Sequence, residues 1–127
     1  VPSSDLEYKP DFGMNLTQFR AAWHKKYPEE KVEFGFNSVA GYTTGVVLEK
    51  ALAETASLDQ LDLRKAFFAI SGKLRTIDGL FEIDPTGAQI GSLTPLGQLV
   101  SDGKGGVKFV SIYPHDTATG KPIYPAP

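Results

Sequence analysis

The chain has no cysteine, only two histidines among its 127 residues, and no long apolar run. Without thiols there are no disulfides, no thiolate metal sites and no cysteine nucleophile. Zero cysteine does not fix the compartment, because many exported bacterial proteins lack it. No stretch reaches the roughly 18 to 20 apolar residues of a membrane-spanning helix. Basic clusters are missing too, so nucleic acid is not an expected partner. Acidic runs are equally absent, and the formal net charge is -2. No signal peptide is visible, and the opening Val1-Pro2-Ser3-Ser4 in place of Met reads as a processed or excised piece. What is present is ordinary for a globular protein: 41% hydrophobic and 22% charged residues, in a length that suits one domain.

Chemistry-bearing motifs fail one by one. His24 and His115 lie far apart, and neither belongs to a zinc spacing. His24, beside Lys25, reads as a solvated residue. There is no GxSxG elbow. Pro114-His115-Asp116 sets a histidine beside an acid, which gives no triad geometry. Glu29-Glu30 adjoins Lys31 and reads as hydrated surface. The glycines of Asp102-Gly103-Lys104-Gly105-Gly106 miss the phosphate-loop spacing and fall between two strand patterns, so they read as a hairpin loop.

Three helices are expected first. Asn15 caps one from Leu16 to about Tyr27, with Leu16, Phe19, Ala22, Trp23 and Tyr27 as its apolar stripe, and Pro28 stops it. Asn37 or Ser38 caps a long helix to about Thr55. Val39, Tyr42, Val46, Ala51 and Leu52 form its buried face, with Val47 and Leu48 at the edges. Gly41 and Gly45 inside it each cost about 1 kcal/mol against alanine, which suggests close approach of a backbone or a ligand. Asp59 caps a third helix to about Ile70, with Leu63, Ala66, Phe67 and Ile70 inside. The period then changes to two. A strand is expected from Leu80 to Asp84, then a turn at Pro85-Thr86-Gly87, a short return over 88–91, and a hairpin from Gln98 to Tyr113. Apolar residues on both sides of its second strand suggest cover on both faces.

One cluster stands out at the entry to the second helix: Phe34-Gly35-Phe36-Asn37-Ser38-Val39-Ala40-Gly41-Tyr42. A helix start offers free N–H groups to a carboxylate, and aromatics there can wall an apolar side chain. The plainer alternative is that Asn37 or Ser38 caps and the aromatics fill core.

Several segments resemble bacterial solute-binding proteins of the branched-chain amino-acid type. They are Asp11-Phe12-Gly13 with its helix, the run from Ala40 to Leu52, and Ser57-Leu58-Asp59 with Leu63 to Phe67. Asp78 to Gly87, with Ile83 at the usual aromatic position, and the closing hairpin, with Leu99 where an aromatic is common, complete the likeness. It spans nearly the whole chain. The resemblance implies an α/β fold, the C-terminal portion of a type I periplasmic-binding-protein fold with three helices followed by strands and a C-terminal hairpin. Such a fold has two lobes, and hinge closure clamps a ligand between them. Carried over by position, residues 1–35 end one lobe, 36–97 belong to the other, and 98–127 return across the hinge. The ligand contacts fall on Phe36, Asn37, Ser38 and Tyr42. The implied role is the non-catalytic component, or a fragment of it, of an ABC uptake transporter in the periplasm or outside the cell. It needs no cofactor or metal, takes a small amino acid or an aromatic or aliphatic carboxylate, and hands it to a membrane permease. A ligand-sensing domain of a receptor or regulator is the alternative. A full family member is more than twice this long, so helix faces around Val46, Leu63 and Phe67 would lack their sheet. The missing N-terminal portion or self-association is expected to cover them.

Overall fold

The structure is a computed structural model that describes residues 9–29, 34–91, 95–116 and 118–125. It contains three helices and two small antiparallel sheets, a mixed α and β architecture. Two compact units form; the described residues of one lie in Glu7–Ser92 and those of the other in Leu93–Pro127.

In the first unit, α1 (Leu16–Lys26) begins at a reciprocal cap. The Gln18 N–H donates to Asn15 Oδ1 at 2.8 Å and the Asn15 N–H to Gln18 Oε1 at 3.0 Å. Helix α2 (Phe36–Thr55) starts earlier than expected, because Gly35, in extended backbone, is its N-cap. Asn37 and Ser38 are therefore inside the first turn, not ahead of it. Helix α3 (Gln60–Ile70) is capped by Asp59, whose Oδ1 accepts the N–H groups of Leu61 and Asp62.

The 20 residues of α2 span about 30 Å, enough to serve two cores. Near its start Val39 joins Leu16, Phe19, Phe34 and Ile77; further along, Val47 and Ala51 join Ala66, Ile70 and Leu74. Val47, expected at an edge, is thus fully in a core. The two valines of Val46-Val47 are both buried, because the loop at Gly13 covers Val46 while α3 covers Val47. Gly13 has φ +83, and a Cβ there would sit 2.9 Å from Tyr42 Oη and 3.0 Å from Val46 Cγ2. Gly41 and Gly45 show the opposite: an added Cβ would meet nothing within 4 Å among the described residues. The close approach expected of them is not made there.

Strand β1 (Leu74–Thr76), absent from the sequence expectation, pairs with β2 (Gly79–Phe81) across the turn Ile77-Asp78. Thr76, 2% exposed, ties this turn: its hydroxyl donates to the Gly79 carbonyl and accepts the Asp78 N–H. The strand expected to reach Asp84 ends at Phe81, and a single bridge joins Ile83 to Gln89. The ladder with β1 ends at its Leu74–Phe81 pair. Beyond it the return segment bonds through its main chain, Ile90 N–H to the Glu82 carbonyl at 2.7 Å and Asp84 N–H to the Ala88 carbonyl at 2.9 Å, and through the Gln89 side chain, whose Oε1 accepts the Glu82 N–H at 2.8 Å and whose Nε2 donates to the Leu80 carbonyl at 2.9 Å.

In the second unit, β3 (Leu96–Ser101) pairs with β4 (Val107–Tyr113) around the loop at 102–106, as expected. Asp102 closes that loop by accepting the Lys104 and Gly106 N–H groups. The Phe109 ring lies over Gly97, where a Cβ would come within 2.0 Å of it. Gln98 repeats the device of Gln89: its carboxamide exchanges two 2.8 Å bonds with the main chain of Ile123. Cover on both faces of β4 is not found, since Val107 is 69% and Tyr113 47% exposed while only Ser111 is buried.

Candidate functional site

The entry to α2 is held from behind by aromatic packing. Phe19 meets Phe34 edge-on at 5.0 Å between ring centres and meets Tyr42 at 5.2 Å; Trp23 lies 6.0 Å from Phe34. The Arg20 guanidinium covers the Phe34 ring at 5.7 Å. Phe34 is thereby buried, whereas Phe36, two residues on, is 51% exposed. The two aromatics of the entry segment have separated into one core residue and one outward-facing residue.

Phe36, Asn37 and Ser38 come together on the first turn of α2, the first two exposed and Ser38 half-buried. Gly35 has no side chain to cap with. Its carbonyl accepts the Ser38 N–H at 3.0 Å and the Val39 N–H at 3.4 Å. The N–H groups of Phe36 and Asn37 find no acceptor among the described residues. The turn therefore presents two backbone donors, an amide, a hydroxyl and an aromatic wall. None of these groups titrates near neutral pH, so the arrangement suits reversible binding of an anion, not proton transfer.

Tyr42 is placed differently. Its hydroxyl accepts the Met14 N–H at 2.6 Å and its ring packs in the aromatic core. It fixes the loop before α1 to α2 and supports the entry from inside.

An open cleft that sequence reasoning did not assign lies elsewhere in the same unit. It holds about 670 Å³ and is walled by Leu48, Leu63, Phe67, Phe68, Phe81 and Ile83, with Gln60 and Arg64 as polar neighbours. Arg64 is fixed over the Phe68 ring at 5.0 Å and donates to the Pro85 carbonyl at 3.3 Å. A smaller cleft of about 320 Å³ lies by Phe12, Lys50, Glu54 and Lys73. Its charges are largely matched. Lys50 pairs with Glu54 at 2.9 Å, and Lys73 Nζ donates to the Ala69 carbonyl at 3.0 Å.

Asp62, in the first turn of α3, is held down by its hydrogen bonds to Lys65 and then Ser57, and the other perturbed carboxylates belong to loops and turns. Burial pushes the Asp78 carboxyl up. The Thr86 hydroxyl, then the Ala88 N–H, holds Asp84 down; the Lys104 N–H, then that of Gly106, does the same for Asp102. No group of three potential metal-ligating His, Cys, Asp or Glu residues occurs among the described residues, and none of their helices is long and apolar enough to cross a membrane. No protein-family model, curated protein or solved structure matches the chain.

Proposed function

We propose that this chain supplies one wall of a two-lobed solute-binding cleft, as the C-terminal portion of a type I periplasmic-binding fold serving an ABC uptake transporter. The observation that carries the reading is the first turn of α2. Two N–H donors without an acceptor among the described residues, Asn37 and half-exposed Phe36 share one rigidly backed turn. A small amino acid or organic acid would set its carboxylate against the N–H groups and its side chain against Phe36. The other lobe supplies the remaining contacts, and closure follows because the ligand touches both lobes only in the closed state. The captured solute is then delivered to a membrane permease outside the cytoplasm. The open cleft along α2 and α3 supports the same picture, since an apolar recess of that size suits cover by further polypeptide.

Isothermal titration with leucine, valine and simple aromatic acids tests the reading. A longer polypeptide that includes the other lobe binds one of these classes, and Asn37→Ala with Phe36→Ala weakens that binding about tenfold or more. Unchanged affinity in the double variant would overturn the assignment.

A further inference from the structure

The larger cleft of the helical unit combines an apolar wall with a cation that has no counter-charge; the smaller cleft does not. In the smaller one Lys50 has Glu54, and Lys73 has the Ala69 carbonyl. In the larger one Arg64 has no carboxylate partner among the described residues. Asp62, two residues before it, is engaged by Lys65 and Ser57. Asp84, next to Pro85, accepts from Thr86 and Ala88 of its own turn.

Arg64 is also held in place. Phe68, one turn further along α3, lies under its guanidinium, and the Pro85 carbonyl takes one N–H from Nη2. The remaining N–H groups of this flat, permanently charged fork are left for an anion. A cation positioned beforehand loses little freedom when it binds. The wall narrows the choice of anion. From Gln60 to Phe68 the cleft follows α3 for about 12 Å. The Phe67 and Phe81 rings are 6.5 Å apart and inclined at 59°, so they form no parallel slot for a flat ring. A bendable acyl chain can follow such a surface, and the cleft's volume of about 670 Å³ is ample for one.

We propose that this cleft binds a medium-chain fatty acid, with its carboxylate on Arg64 and its acyl chain along Leu63, Phe67 and Phe81. The carboxylate accepts charge-assisted N–H bonds from the guanidinium. The chain leaves water for the apolar wall, where each fully buried methylene tightens binding by up to about fourfold. Further polypeptide laid over the open side would roof the acyl chain. The site shares no residue with the first turn of α2 and does not rest on the solute-cleft reading.

Titration of the chain with decanoate, below the concentration at which it forms micelles, tests the site by calorimetry and backbone amide shifts. One equivalent binds, and the shifts fall at Arg64, Phe67, Phe68 and Phe81 while the amides of Phe36, Asn37 and Ser38 stay still. Decanol keeps the chain but not the charge and binds about tenfold or more weakly, and decylamine binds no better than decanol. Octanoate, two methylenes shorter, is weaker than decanoate. Arg64→Gln lowers decanoate to the level of decanol; Arg64→Lys, which keeps a charge without the fork, falls between. The comparison of decanoate, decanol and decylamine on the wild-type chain decides the matter even if a variant fails to fold. Absence of saturable binding, unfolding in its place, decanol as tight as decanoate, a folded Arg64→Gln variant of unchanged affinity, or shifts that spare the cleft would each overturn the proposal.

Discussion

The two antiparallel pairs are built with the same local devices and end in different environments. Both close a strand or tail with a glutamine carboxamide, Gln89 in one and Gln98 in the other. Both also use an aspartate to gather a turn, at Asp84 and Asp102. Yet β1–β2 is sunk into a helical unit, with Leu74, Thr76 and Ile77 each at most 5% exposed, while β3–β4 leaves Leu96, Leu99 and Val107 more than 60% exposed. Hydrogen-bond bookkeeping specifies a hairpin's register; apolar cover decides whether it is finished. A two-stranded sheet without such cover is marginal in water.

The largest expected contrast comes from emptying the helical core. Phe19→Ala removes a ring packed against Phe34 and Tyr42 and costs about 3–5 kcal/mol. Phe109→Ala, from the half-buried hairpin, costs about 1 kcal/mol. Chemical denaturation followed by circular dichroism and by exchange of the hairpin amides separates the two. Equal losses would erase the distinction between the units.

Next come the glutamines. Gln89→Ala and Gln98→Ala each remove two exposed bonds and cost about 1 kcal/mol or less. Exchange should quicken at Glu82 in the first variant and at Ile123 in the second, each staying within its own unit.

Gly41→Ala and Gly45→Ala should raise the melting temperature, each by about 0.5–1 kcal/mol of stability, since a methyl group at either position meets nothing within 4 Å among the described residues. A loss in either would reveal another body lying against that face of α2.

The smallest effect is acid sensitivity of the turns. Asp84 and Asp102 are held below the ordinary carboxylate range when folded, so their contribution is present above the unfolded value near 3.8 and fades as pH falls through the lower folded value. Amide exchange at Thr86, Ala88, Lys104 and Gly106, corrected for intrinsic rates, should quicken on that descent. The Asp78 contribution has the opposite sign: its raised carboxyl favours the folded state as pH drops through its folded value.

Much of this architecture is legible in local chemistry. Asn15 and Asp59 mark helix starts because their side chains do the capping, and the glycine-rich loop marks the hairpin. The start of α2 is misread because Gly35 caps with backbone alone, leaving Asn37 and Ser38 as decoys. Strand β1 has three residues, too few for an alternation to register, and its pairing is enforced by burial of Leu74 and Thr76. At the candidate site, Phe36, Asn37 and Ser38 are adjacent in sequence and stay together. The role of Tyr42 hangs on Met14, 28 residues away, and carries no local signal. The open cleft is invisible in sequence for the same reason, since it exists only once α2, α3 and β2 are packed.

The most direct test of the ligand-binding account is titration of this chain alone with leucine, valine and an aromatic carboxylate, followed through the backbone amides of Phe36, Asn37 and Ser38. The account expects shifts confined to that turn, with affinity no tighter than about 1 mM, because one wall holds only part of a ligand. Sub-micromolar binding by the isolated chain, or shifts that fall elsewhere and spare the start of α2, would contradict it.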